Sequence, residues 1–364
     1  MKLNISLNLT LSFLFFFSII SCGVQKNKKT TSPIVVYPAP PEKAKIQYLT
    51  SISSSVDVTK KQSAFEKSVV GEKEKLPIYK PYGIFLRNGK LYVCDISIGG
   101  LEIINLETKK FDYFIPKGQH QLGVPVSCFV DTNNFLYIAD VNQQKIAVFD
   151  GDGNFKTSFG KNENKKPTDV FIKGKNIFVA DSDGNRINVY NKNTYKFESY
   201  FPKLEVGDPG FLYKPTNIFI SDTKIFVSDL GNGSIKIFDL KGNYLQTVSK
   251  YGKNIGELVR PKGIAADKEG NIFIADASFE NVQIFNKDGA LLMFFGGHFN
   301  KEKQGDMWLP TKVIIDYDNL QYFKKYVDPK YNLKYLILVA NQFGPEKINV
   351  YGRIEEAKAT TPIK

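Results

Sequence analysis

The sequence is poor in the residues from which most catalytic centres are built. Its 364 residues include two His, three Cys and one Trp. Three Cys cannot staple a chain of this length. Two His leave little material for a histidine-based relay or for zinc, which normally takes three or four donors. No phosphate loop, dinucleotide fingerprint, Ser elbow or metalloprotease helix is present. Gly231-Asn232-Gly233 and Gly151-Asp152-Gly153 read as hairpin turns. Asp181-Ser182-Asp183-Gly184-Asn185 lacks the twelve-residue frame and closing Glu of a calcium loop. What is abundant is apolar: 42% of residues are hydrophobic and 13% aromatic, with 29 Phe and 19 Tyr, so the bulk of the chain is not disordered and can bury a large core. The 49 Lys and Arg exceed the 37 Asp and Glu by 12, yet they are scattered and form no basic helix. Basicity alone therefore favours anionic partners only weakly.

The amino terminus carries an address. Lys2 precedes an apolar run from Leu11 to Ile20 (LSFLFFFSII), ten residues long and too short to span a bilayer. Residues 1–21 are expected to be an export signal. The next residues, Ile19-Ile20-Ser21-Cys22-Gly23, resemble the lipobox of bacterial lipoproteins. That resemblance implies a Cys22 that is diacylated, with palmitate-type chains, and becomes the new amino terminus. One acyl chain holds only marginally, at about 0.8 kcal/mol per buried methylene, whereas several hold firmly. Residues 22–42 read as an extended tether, and the stretch 24–42, rich in Lys, Thr, Ser and Pro, would at ~3.1 Å per residue reach about 60 Å. No Asp or Glu follows Cys22 before Glu42. In lipoproteins an acidic residue there affects sorting, so the resemblance implies an outer membrane facing the periplasm, with a Gram-positive surface as the alternative.

Self-similarity organises the rest. A Pro opens a short apolar strand at Pro81 (KPYGIFL), Pro125 (VPVSCFVD), Pro167 (KPTDVFI), Pro215 (KPTNIFI), Pro261 (RPKGIAAD) and Pro310 (LPTKVIID), at intervals of 42 to 49 residues. In the first five units a second strand follows and ends in Asp95, Asp140, Asp181, Asp229 or Asp276. A third strand alternates apolar and polar residues, as in RINVYN and SIKIFD, and a fourth follows a polar turn. Four antiparallel strands per unit with two apolar faces cannot stand alone, and radial closure buries both faces. The expected fold is an all-β six-bladed propeller over residues 43–356, followed by a tail at 357–364. The sixth unit lacks a fourth strand. Lys45 to Ser53 (KIQYLTSIS) alternates like one and has no blade of its own, so it is expected to complete blade six and close the ring.

These units resemble the NHL-repeat family of six-bladed propellers. The likeness spans residues 81–352, through the P-x-G-I start (Pro81 to Ile84, Pro261 to Ile264), the I/V-A-D end of strand two and the I-x-V/I-F/Y core of strand three. The sixth unit departs from it, with Asn341 where Asp is expected. No Trp-Asp pair supports a WD40 assignment and no recurrent Gly pair supports kelch.

The ring of repeated Asp invites a metal reading, but repeated positions lie on a circle whereas a metal needs carboxylates that converge. The five Asp are expected to be structural, accepting hydrogen bonds from the following turn. His120 and His298 fall in connections between blades, with no third ligand evident, and read as exposed loop residues. Cys94 and Cys128 align with apolar positions of other units and read as buried small hydrophobes, a bridge between neighbouring blades being the alternative. No metal, cofactor or catalytic residue is expected. What remains is the face formed by the connections between blades and the loops between strands two and three. Its candidate binding residues are Lys166, Asp169, Arg186, Lys214, Asn217, Arg260, Lys262 and Lys312. The expected function is a monomeric, membrane-tethered binding module for a protein or an anionic envelope polysaccharide. Nucleic acid is not expected, since an exported protein seldom meets it. The alternative is a lactonase- or lyase-type propeller enzyme, as the family resemblance implies, with a metal in the central channel.

Overall fold

The structure, a computed structural model, describes residues 34–297 and 303–357. Cys22, the expected signal, tether residues 22–33, His298 and residues 358–364 of the tail lie outside the described residues. The chain is an all-β six-bladed propeller, with five four-stranded antiparallel sheets and one five-stranded sheet. The six opening strands, Pro81–Arg87, Pro125–Val130, Pro167–Lys173, Pro215–Ile220, Pro261–Ala266 and Pro310–Asp316, each start at the Pro read from sequence. Each packs against the next, and the sixth against the first, which closes the ring.

The last sheet holds the seam. Its order is Val36–Tyr37, Ile46–Ile52, Ile348–Glu356, Tyr331–Asn341, Pro310–Asp316. Ile46 pairs with Arg353, Thr50 with Val350 and Ile52 with Ile348, so the amino-terminal strand occupies the fourth place in blade six as expected. Val36–Tyr37, in the segment read as tether, adds a fifth strand outside it. Leu49 and Ile52 join Ile84, Leu91, Leu338 and Val350 in the core between blades one and six. Each such buried side chain contributes about 1.5–3 kcal/mol. The other five inter-blade spaces are filled in the same way. Between the seam strand and blade one, residues 54–76 carry a short 3-10 turn, Ser55–Asp57, and an exposed α-helix, Ala64–Val70.

Every blade uses the same device at its opening Pro. The Pro pairs with the last residue of strand two, and the ladder then slips by a bulge. Pro has no N–H to donate, which suits the inner edge and a bulge. The Asp at the end of strand two, fully buried in all five cases, ties down both neighbouring segments. Asp140 accepts from the amides of Gly123 and Val124, ahead of Pro125, and from Asn142 and Gln143 in the following turn. Asp276 does the same with Val259, Arg260, Ser278 and Phe279. Asp95, Asp181 and Asp229 each hold the two amides preceding their Pro. The segment before each Pro is therefore as much a partner as the following turn. In blade six Asn341 receives only a long 3.4 Å bond from Trp308 N, and Glu280 of blade five takes over the Leu309 amide.

A second polar ladder runs through strand three. Asn188, Lys236, Gln283 and Asn349 are buried and donate to carbonyls of the connecting loops, at Glu163, Pro209, Glu257 and Asp306. The equivalent in blade one is Glu102, which is buried and whose carboxylate oxygens find no donor. Burial, reinforced by the charge of Asp95, pushes its pKa up to about 9. The carboxyl therefore stays protonated near neutrality, and only that form supplies the donor its equivalents carry.

Two outcomes follow. Asp140→Ala removes the acceptor of four partly buried amides and should cost on the order of 2–4 kcal/mol in guanidinium unfolding. A surface Asp such as Asp222, changed in parallel, should cost almost nothing. For Glu102 the folded pKa lies above the unfolded one. The stability it allows is thus complete below about pH 4.5 and declines as pH rises toward 9, by up to roughly 1 kcal/mol per pH unit. Glu102→Gln should remove that slope, raising the unfolding midpoint more at pH 8 than at pH 5.

Candidate functional site

The residue before each opening Pro leads into an inner strand, and in the first five blades the buried Asp holds its backbone amide in place. In chain order these residues are Lys80, Val124, Lys166, Lys214, Arg260 and Leu309. Four of the six are cationic and none is acidic, and the four make no ion pair among the described residues. They form a ring of positive charge around the mouth of the central channel, on the face where the blades connect. Lys262, one residue beyond Pro261, lies inside this ring and is buried. Its ammonium sits 4.7 Å from the centre of the Tyr82 ring of blade one. Burial, and then the nearby Arg260 charge, push its pKa down to about 8. Below that pH the lysine is charged with part of its hydration removed, and an approaching anion compensates that charge.

The sequence-derived candidates divide between two levels. Lys166, Arg186, Lys214 and Arg260 are on the connecting face. Arg186 is already engaged: it donates to Glu163 O at 2.7 Å, lies 3.8 Å from Asp181 and stacks on Tyr200. Asp169, Asn217, Lys262 and Lys312 instead belong to the opening strands and are buried in the channel wall, not on the loops. The bulge after each Pro is what turns the second residue beyond it inward. At that position the six blades carry Gly83, Ser127, Asp169, Asn217, Gly263 and Lys312.

Lys312 reaches across the ring from blade six to Asp169 in the opposite blade three, at 2.7 Å. Asp169 also accepts from the Ser127 hydroxyl of blade two and from the Ile218 amide of blade four, so one carboxylate links four blades. At Gly83 and Gly263 a Cβ would strike the backbone of the next blade, which explains the missing side chains. This girdle separates the cationic mouth from the other end of the channel.

Below the girdle the channel opens toward the opposite face as a cavity of about 620 Å³. Its wall includes Phe85, Phe129, Phe171 and Phe219, one from each of the first four blades. Successive ring centres are 4.6, 5.0 and 5.9 Å apart. Sequence reasoning missed this feature. The available signal was a Phe four residues after each of the first four opening Pro residues, which local alternation assigns only to a core strand.

The other candidates are placed plainly. Cys94 and Cys128 are free and buried. His120 stacks on Phe155 at 4.0 Å, outside the channel. Among the described residues no group of three or more His, Cys, Asp or Glu is placed to hold a metal ion.

Residues 199–363, which include blades four and five and all of blade six but its amino-terminal strands, match the family model described as DUF5128: 6-bladed beta-propeller. Over 219 residues the chain is 26% identical to Protein brain tumor of Drosophila melanogaster, covering 60% of this chain and 15% of that protein. Over 43 residues it is 51% identical to Protein lin-41 of Caenorhabditis elegans, covering 12% of this chain and 4% of that protein. The chain thus spans only a small part of these curated relatives. Among solved structures, a structural genomics protein of Bacteroides thetaiotaomicron superposes with a TM-score of 0.59 at 13% identity, over 86% of this chain and 77% of that one. A streptogramin B lyase gives 0.54 at 14% identity, over 79% and 85%. At these identities the structural likeness shows the fold alone.

The girdle has a direct test. Lys312→Met leaves Asp169 buried without its counter-charge and should destabilise by about 3–5 kcal/mol. Lys312→Met combined with Asp169→Asn, whose amide oxygen can still accept from the Ile218 amide, should recover much of that loss, read as the coupling in a double-mutant cycle of guanidinium unfolding midpoints.

Proposed function

Starting from a six-bladed β-propeller with distant homology to NHL-repeat proteins, we propose that the chain is a binding module whose connecting face takes an anionic group of a protein or an envelope polysaccharide. The observation that carries this reading is the ring of Lys80, Lys166, Lys214 and Arg260 on Asp-clamped backbone, with Lys262 inside it. A rigid ring of like charges pays its electrostatic cost at folding and is relieved when an anion binds. The same field steers an anionic partner toward the mouth. Rigid loops on a closed scaffold also limit the ordering entropy lost on binding. The module is held at the bacterial envelope through lipid on Cys22, at an outer membrane facing the periplasm. The lipobox-like leader supports that part of the proposal. The lactonase- or lyase-type alternative needs side chains that converge in the channel, and the channel carboxylate Asp169 is already bound to Lys312, Ser127 and the Ile218 amide.

The test uses polygalacturonate as an anionic polysaccharide probe and dextran as its neutral control. The Lys166→Gln, Lys214→Gln, Arg260→Gln triple variant should lose at least tenfold in polygalacturonate affinity at 50 mM salt, with its unfolding midpoint little changed. Raising salt should weaken wild-type binding steeply, since exposed charges are screened beyond about 10 Å at 0.1 M. Equal affinity of the variant, or equal binding of dextran, overturns the proposal. Binding should also fall as pH rises through about 8, where Lys262 loses its proton, and Lys262→Met should flatten that profile. For the anchor, Cys22→Ala should move the protein from the detergent-extracted membrane fraction to the soluble one; persistence on membranes with unchanged mobility speaks against lipidation.

A further inference from the structure

The mouth on the connecting face leaves the opposite end of the channel without a role, and its construction is specific. The cavity is within the ~300–1,000 Å³ range of sites that bury small molecules. Phe85, Phe129, Phe171 and Phe219 are all partly exposed to its lumen, a costly arrangement for aromatic side chains unless something covers them. In blade five the equivalent position is Ala265 and in blade six it is Ile314, so the lumen is wider on one side than the other. A flat body fits against the aromatic half, with its edge toward the smaller side chains.

The floor adds a polar requirement. Lys312 lines the cavity, and among the described residues its ammonium donates to Asp169 alone. An ammonium carries three donors, so two remain beyond the bond to Asp169, on a side chain that lines the lumen. Because Lys312 and Asp169 already balance each other's charge, a carboxylate at this point would add an uncompensated negative charge in a buried place. A carbonyl oxygen would take a free N–H at no such cost.

We propose that this aromatic funnel is a second binding site, which takes a neutral small molecule with a flat apolar ring system and a carbonyl oxygen at its inner end. The rings stack against the Phe side chains and the oxygen accepts from Lys312 Nζ. The site is independent of the anion-binding mouth, from which the Asp169 girdle separates it.

The probe is prodan, a neutral naphthyl ketone whose emission moves to the blue in apolar surroundings. It is titrated against the full chain carrying Cys22→Ala, so that neither lipid nor detergent takes up the dye. Saturable one-to-one binding with a blue shift is expected, weakened at least tenfold in Phe129→Ala and in Phe171→Ala. The analogue in which a carboxylate replaces the ketone should bind at least tenfold more weakly than prodan. A Phe171→Trp variant gives a readout that needs no loss of affinity: its added tryptophan emission should be quenched at the same one-to-one stoichiometry. The Lys166→Gln, Lys214→Gln, Arg260→Gln variant should bind prodan like wild type, so failure at one site is distinguishable from failure at the other. Three results overturn the proposal: no saturable binding to the wild-type ring, binding within twofold of it in both Phe→Ala variants, or tighter binding of the carboxylate.

Discussion

Everything in this molecule depends on a sheet with two apolar faces having no stable existence alone. Each blade exposes Ile, Val, Leu and Phe on both sides, and only a neighbour on each side removes them from water. The constraint is satisfied when blade six meets blade one. The chain supplies that contact by pairing Ile46–Ile52 with Ile348–Glu356. A strand from one end of the sequence, hydrogen-bonded into the sheet formed by the other, prevents the ring from opening at its weakest place. Leu49 and Ile52 then fill the last inter-blade core.

Closure fixes the radius of the channel, and the radius decides what can line it. Six opening strands bring six equivalent positions into contact, so a residue in blade three meets one in blade six although 143 residues separate them. Asp169 and Lys312 exploit that meeting, and the glycines at 83 and 263 make room for it. A buried ion pair is weak evidence for stability. Its clearer consequence is a division of the channel into two chambers of opposite character, a cationic mouth and an aromatic funnel. The repeated Asp acts on the same geometry from outside, because in blades one to five it immobilises the residues before the opening Pro and turns scattered Lys and Arg into a fixed ring.

Much of the architecture could be read from local pattern. The opening Pro, the closing Asp and the alternation of strand three are properties of a few consecutive residues, and period-two alternation reports burial directly. Lys45 to Ser53 stood out because it alternated without belonging to any unit. The candidate site was less legible. Asp169, Asn217 and Lys312 were singled out with the loop residues, yet the bulge after each Pro shifts the ladder and turns them into the channel. The Phe at the fourth position after Pro was visible four times in sequence. Its direction depends on that same bulge, so alternation counted from the Pro could not show that the rings line a cavity.

By itself the sequence determined the number of blades, their boundaries, the closing strand and the identity of the structural Asp, since each follows from interactions between near neighbours or from a unit that lacks a strand. Only the tertiary structure decided that Lys312 and Asp169 meet, that Glu102 is left without a donor, and that four Phe rings surround a lumen. Those outcomes depend on the curvature and register of the closed ring, which place distant residues face to face and are encoded in no single segment.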